Sequence, residues 1–392
     1  MAESAVNSLN PPGRLSANMK FLLSCSLVIL FATLLWACSD GSDNATLTAP
    51  AAFNAPGPYP VGNTTLSIVN QQEGRVLDVE LWYPGRGKGQ AQSILDFAVS
   101  VQERDNLASL LNENPGNCVR QDTFSSRDLE PASSPSTFPL VVFSHCFECT
   151  RYSSFSLAER LASHGIAVAA PDHTMNTLFD TGALIDTAFL AVRANDVAAV
   201  VDELLTANSP VLPDNLQNRF DASRVGVAGH SFGAVTAGKL LQDDDRFKAG
   251  MIMAAPVENP VITGVAVAEI AEPTLYLIAR EDNSIGELGN LVMRSNFEAA
   301  ASPSWKVEVA DAGHWSFSDI AGIIPGFSPG CGEGERQTNP PEAFSYLDST
   351  LARQITATYG VRFFAANLLG DERAMAELGD STHPDIVDVQ AK

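Results

Sequence analysis

The sequence predicts an α/β protein: a mostly parallel, doubly wound sheet flanked by helices, in a single domain. Three observations carry this. Short apolar runs alternate along the chain with stretches of helical spacing, the pattern of strands joined by crossover helices. Several of those runs, Pro139-Leu-Val-Val-Phe-Ser144 above all, are continuously apolar, as a strand covered on both faces must be. And the run through Val225 and Val227 breaks into Gly229-His-Ser-Phe-Gly233, then passes at once into a helical pattern through Val235, Leu240 and Leu241.

Taken in order, Leu66 to Val69 and Leu77 to Trp82 flank Asn70-Gln-Gln-Glu-Gly74 and predict a β-hairpin, its second strand alternating at Leu77, Val79 and Leu81. Residues 86–137 read as an insertion over one edge of the sheet, with one amphipathic piece from Ile94 to Leu111 and a Ser/Pro-rich loop. The strand Pro139–Ser144 follows, then a helix from Ser154 to His164 and a strand from Ile166 to Ala170 closed by Pro171-Asp-His173. A helix over 183–206 leads to the strand and turn at Ser231. Further strands are expected at Ala249–Ala254, Thr274–Ala279 and Trp305–Val309, and a helix over 347–369. The folded domain is thus expected over 61–370, with 371–392 a tail.

The N-terminus has a different character. Lys20 precedes an apolar run from Phe21 to Ala37, and Leu35-Trp-Ala-Cys38 closes it, so residues 1–38 have the layout of an export signal of the lipoprotein type, with Cys38 lipidated. The run is short for a membrane span. Residues 39–60 are rich in Ser, Asp, Asn, Ala, Gly and Pro, and suit a flexible tether. The expected location is the bacterial cell envelope, anchored by lipid, or the exterior. A net charge of −22 argues against nucleic acid as a partner, since phosphate binding needs clustered Lys and Arg. Oligomeric state is left open.

Strand, Gly-Xaa-Ser-Xaa-Gly turn and helix form the nucleophile elbow of an α/β-hydrolase, in which the serine sits in a strained turn and the flanking glycines let strand and helix approach. Ser231 is the candidate nucleophile. A serine hydroxyl needs a base, and the base an orienting acid, in the chain order Ser, Asp or Glu, His. His314 lies downstream, just after a predicted strand, and is the candidate base. Leu275-Tyr-Leu-Ile-Ala-Arg-Glu-Asp282 runs a strand into two carboxylates, of which Asp282 is favoured and Glu281 is the rival. His230 is expected to pack beside the serine, and His173 to be structural rather than part of the pocket lining. An oxyanion hole needs two backbone N–H donors. One falls to Phe232, and the other to Cys146 or Phe147 in the loop after Ser144.

Together Val79–Pro84, Pro139–His145, Arg151–Ser156, Pro171–His173, Gly229–Gly233 and His314–Asp319 resemble the dienelactone-hydrolase-like and platelet-activating-factor-acetylhydrolase-like serine esterases. The resemblance runs from Tyr59 to Leu369. It implies a carboxylester hydrolase that needs no cofactor or metal, with Ser231 as nucleophile, His314 as base, and Phe147 and Phe232 as oxyanion donors. Its substrates would be lipid-like or short-acyl esters. A serine peptidase or amidase, a polyester hydrolase and a non-catalytic binding protein on the same scaffold are the alternatives. The chain departs from that family at two points. The family's acid position, after the strand following the elbow helix, falls here near Ala254, which moves the acid to Asp282. Where the family has His-Gly-Phe-Gly-Gly, this chain reads His145-Cys-Phe-Glu-Cys149, and cysteines lack the backbone freedom of glycines. In an exported chain Cys118, Cys146, Cys149 and Cys331 favour disulfides, and four cysteines allow three connectivities. Cys146 with Cys149 and Cys118 with Cys331 is the favoured set; a thioredoxin-like redox motif is the other reading of Cys146–Cys149.

Overall fold

The structure, a computed structural model, describes residues 52–392 apart from 91 and 183. The expected signal segment with Cys38, and most of the expected tether, lie outside the described residues. The elements in chain order begin with β1 (Val61–Asn70), β2 (Arg75–Pro84), α1 (Val101–Glu113), β3 (Ser125–Arg127) and β4 (Phe138–Ser144). There follow α2 (Phe155–Ser163), β5 (Ala167–Pro171), α3 (Thr187–Leu205), β6 (Phe220–His230), α4 (Phe232–Asp243) and β7 (Phe247–Met253). Next come β8 (Thr274–Ala279), α5 (Gly286–Ala299) and β9 (Ser304–Val309). The chain closes with β10 (Glu333–Glu335), β11 (Ala343–Ser345), α6 (Ser349–Phe364), α7 (Glu372–Glu377) and β12 (Val387–Ala391).

Ten strands form one sheet in the order β12-β9-β8-β7-β6-β4-β5-β2-β1-β3. From β5 to β9 every neighbouring pair is parallel; β2 on β5, β1 on β2 and β12 on β9 are antiparallel. The reason for the continuous apolar strands is visible in β4. Val141 and Phe143 point into one core layer, with Phe155 and Leu161 of α2 and Ile355 and Phe363 of α6. Leu140 and Val142 point into the other, with Leu190 and Val197 of α3 and Val235 and Leu241 of α4. Successive side chains face opposite ways, so a strand with helices on both faces must be apolar throughout. This is the α/β-hydrolase architecture that the sequence predicts.

The insertion is built into the core. Ile94, Phe97 and Leu107 are buried with Trp82, Tyr152 and Phe155, β3 extends the sheet beyond β1, and Cys118 is bonded to Cys331. Differences from the sequence reading gather at the ends. Residues 52–60 pack on α2: Phe53 is buried, and the N–H groups of Gly57 and Tyr59 bond the side chain and carbonyl of Ser163. Residues 371–392 carry α7 and β12, which pairs with β9 from Val387 to Ala391. Helix α5 has no legible apolar stripe because Leu288 and Leu291 face solvent while polar Asn290 and Asn296 are buried. Among the described residues no helix is long and apolar enough to cross a membrane.

Candidate active site

Parallel strands bring their carboxyl ends to one edge of the sheet, and the loops that leave β4, β6, β8 and β9 meet there. Ser231 stands between β6 and α4 at φ +56° and ψ −121°, a conformation that a non-glycine residue holds only under constraint. Its N–H is tied to the Met253 carbonyl at 2.8 Å, and its carbonyl accepts from Ala234 N–H at 2.8 Å. The flanking glycines are required by contact. A Cβ on Gly229 would lie 2.0 Å from the Gly233 carbonyl oxygen, and one on Gly233 would lie 1.9 Å from that of Ser144.

His314 follows β9 and is 2% exposed. Its Nδ1 lies 2.8 Å from Oδ2 of Asp282, which follows β8. The other oxygen of Asp282 accepts the N–H groups of Ser284 and Ile285 at 2.9 and 3.0 Å, so the carboxylate cannot swing away. Glu281 turns elsewhere: its carboxylate bonds Thr338 Oγ1 at 2.6 Å, Thr338 N–H at 3.1 Å and Arg336 at 3.2 Å. The adjacent carboxylates that are equivalent in sequence therefore have separate partners, and only Asp282 reaches His314. Ala254 follows β7 and offers no acid, as expected.

The elbow and the His314 loop touch through His230. Its Nε2–H donates to the His314 carbonyl at 2.9 Å, and the two imidazoles stand 4.9 Å apart. Burial, with His314 alongside, holds His230 far below the usual histidine range, so it is neutral; its Nδ1 has no partner among the described residues. Trp315 packs edge-on against both rings and stacks on Phe327 at 3.7 Å.

Of the two residues expected to supply oxyanion donors, Phe232 opens α4 directly after Ser231, and Phe147 stands in the loop after β4. Among the described residues neither N–H donates a hydrogen bond. The loop has no glycine, and its turn is made differently. Glu148 takes the left-handed conformation at φ +55°, Cys149 N–H closes on the Cys146 carbonyl at 3.3 Å, and Cys146 is bonded to Cys149 with both fully buried. Of the three connectivities open to the cysteines, this pairing with Cys118–Cys331 is the one formed. His173 is fully buried away from solvent, and His164 and His383 lie at a helix end and in the final segment. Arg193, in mid-helix with no motif around it, was invisible to sequence reading; its contacts are taken up below.

Sheet order, strained serine elbow and a histidine–carboxylate pair after the second and third strands beyond it define an α/β-hydrolase. A sequence model of platelet-activating factor acetylhydrolase, isoform II, matches residues 49–194 and 191–327, and the chain belongs to that family. Among curated proteins it is 28% identical over 202 residues to cutinase est1 of Thermobifida alba, which covers 50% of this chain and 58% of that protein. It is 22% identical to a probable 1-alkyl-2-acetylglycerophosphocholine esterase of Arthroderma benhamiae, over 64% of this chain and 65% of the relative. It is 23% identical to the platelet-activating factor acetylhydrolase of Cavia porcellus, over 50% and 53%. The chain thus spans between half and two thirds of the length of these relatives. A solved ferulic acid esterase from Streptomyces cinnamoneus superposes with a TM-score of 0.63 at 25% identity, covering 88% of this chain and 99% of the esterase.

Proposed function

We propose that the protein is an exported serine carboxylester hydrolase acting on short-acyl or lipid-like esters through Ser231, His314 and Asp282. The observation that carries this is the 2.8 Å contact of His314 Nδ1 with Asp282, set beside an elbow that holds Ser231 in a strained turn. With Nδ1–H committed to Asp282, His314 Nε2 is the free base. It takes the Ser231 hydroxyl proton as Oγ bonds to the ester carbonyl carbon, and the negative charge gathers on the former carbonyl oxygen between the Phe147 and Phe232 N–H groups. Collapse expels the alcohol, which takes the proton from the imidazolium. Water then repeats the sequence on the acyl-enzyme and releases the acid. Asp282 keeps its hydrogen bond from Nδ1–H and stabilises the imidazolium.

The relatives named above are an acetylglycerophosphocholine esterase, an acetylhydrolase, a cutinase and a ferulic acid esterase, which supports ester over amide chemistry. The cutinase likeness brings polyesters within the substrate range to assay. A lipid anchor at Cys38 would place the enzyme at the envelope; loss of palmitate labelling in Cys38→Ser tests it. For the activity, a fluorophosphonate should label wild type on Ser231 and should not label Ser231→Ala, and acetate-ester turnover should vanish with the label. Folded wild-type protein that takes no label would sink the assignment.

A further inference from the structure

Behind the oxyanion loop lies a second serine–histidine–aspartate set. Ser144 Oγ is 2.9 Å from His173 Nε2, and His173 Nδ1 is 2.8 Å from Asp196 Oδ2. All three are fully buried, so no substrate reaches them. The polar atoms are instead occupied by one another. His173 Nδ1–H is spent on Asp196, so Nε2 accepts from Ser144, whose oxygen in turn accepts from Arg193 at 3.1 Å. His173 N–H donates to His145 Nε2 at 3.0 Å, which leaves His145 Nδ1–H to donate to the Cys146 carbonyl at 2.7 Å. A proton on His145 Nε2 would face the His173 N–H donor, so one tautomer is enforced.

Arg193 of α3 closes this set. It donates to the His145 carbonyl, to Asn176 Oδ1 at 2.6 Å and to Thr236 Oγ1 at 3.3 Å, and its guanidinium covers the Phe232 ring at 4.6 Å. Thr236 Oγ1 itself donates to the Phe232 carbonyl at 3.0 Å. The peptide between Cys146 and Phe147 is trans, so its carbonyl, held by His145, points opposite to the Phe147 N–H. Arg193 therefore holds the loop that carries Phe147 directly, through the His145 carbonyl, and reaches the helix start that carries Phe232 through the Phe232 ring and through Thr236, which bonds the Phe232 carbonyl.

We propose that Arg193, with His173 and His145 behind the loop, is a positioning residue that sets the spacing and aim of the two oxyanion donors. The proposal rests on the serine-hydrolase reading above. A guanidinium is needed because it spans several acceptors in one plane, which an ammonium cannot do. The donors must sit at the place where the oxyanion develops, and small displacements lose much of the effect.

The test compares wild type with Arg193→Lys and with the near-isosteric Thr236→Val, which removes one anchor of Arg193. Rates are expressed per serine titrated by fluorophosphonate, and the acyl-carbonyl stretch is recorded in a trapped acyl-enzyme. Arg193→Lys should lower kcat about 10- to 100-fold with KM within about twofold, and should shift the stretch upward as the carbonyl loses polarisation. Thr236→Val should move both in the same direction by a smaller amount, about threefold in kcat, and carries the test if Arg193→Lys does not fold. A purely structural role would reduce the titratable fraction alone. Unchanged kcat per labelled serine and an unchanged stretch in the folded variants would overturn the proposal. A wild type that takes no label would instead remove the reading beneath it.

Discussion

Asp282 Oδ2 lies 2.8 Å from His314 Nδ1, while Glu281, its neighbour in the chain, gives its carboxylate to Thr338 and Arg336. The two acids therefore have separable roles. Asp282→Asn should leave the fold intact and lower kcat about 10³- to 10⁴-fold, because an amide cannot hold the required tautomer. Glu281→Gln should keep kcat within about threefold and destabilise by about 1–3 kcal/mol, because Glu281 is itself buried and loses its charged hydrogen bonds. Kinetics and urea unfolding on the two variants check the division; equal kcat losses would remove it.

The elbow glycines make a steric prediction. A methyl on Gly233 meets the Ser144 carbonyl, backbone against backbone, and neither can yield. Gly233→Ala should cost about 3 kcal/mol in urea unfolding, the scale of a serious overpacking. Gly379→Ala, where nothing lies within 4 Å of the added carbon, is the control and should be close to neutral.

The disulfides should separate by function. Cys118–Cys331 spans 213 residues, so its removal should cost stability, up to about 5 kcal/mol in the chain-entropy picture, with little effect on kcat of the folded enzyme. Cys146–Cys149 spans 3 residues and constrains the unfolded chain little, but it closes the turn beside Phe147. Cys146→Ser/Cys149→Ser should lower kcat about tenfold with a smaller change in stability, since the loop then lacks both glycines and a cross-link. Thermal melts and steady-state kinetics distinguish the two outcomes.

Stability should fall on acidification. Burial holds His145, His173 and His230 well below the unfolded value of 6.5. Each is neutral in the fold, while the unfolded chain takes up a proton as pH drops through 6.5. The unfolded state then binds more protons, so stability is intact above 6.5 and is lost as pH falls towards the folded pKa, by up to about 1.4 kcal/mol per pH unit per histidine. Buried Glu80, Glu159, Asp172, Asp196 and Asp319 are pushed up by the same desolvation and act in the opposite sense at lower pH. His230→Gln keeps a donor for the His314 carbonyl and cancels the carboxylates from the comparison. Its stability curve should be flatter than wild type by up to one histidine's slope between pH 6.5 and 5; parallel curves would contradict the account.

The elbow was legible because strand, turn and helix are written in one unbroken run from Val225 to Leu241, and local sterics allow few other readings. The sheet was legible for a related reason: a strand covered on both faces has to be apolar where it is covered, as β4 is from Phe138 to Phe143 and β6 from Val225 to Gly229. Helix α5 and strand β12 escaped notice because their apolar positions are few or face water, and their partners lie far along the chain. Residues 52–60 have the composition of a linker, yet Phe53 finds a buried place against α2.

By itself, then, the sequence determined the α/β-hydrolase class, Ser231 as the residue at the elbow, and His314 as the histidine beyond the right strand. Short-range sterics and strand polarity suffice for each. Tertiary structure decided what depends on partners distant in the chain. Arg336 and Thr338 take Glu281 and leave Asp282 for His314; Cys118 finds Cys331; Glu148 supplies the left-handed turn where glycines were missing. Arg193, anonymous within α3, reaches the His145 carbonyl and the Phe232 ring on the two sides of Ser231. Hydrogen bonds and buried charges are satisfied only by groups brought close in space, and that proximity is a property of the folded chain.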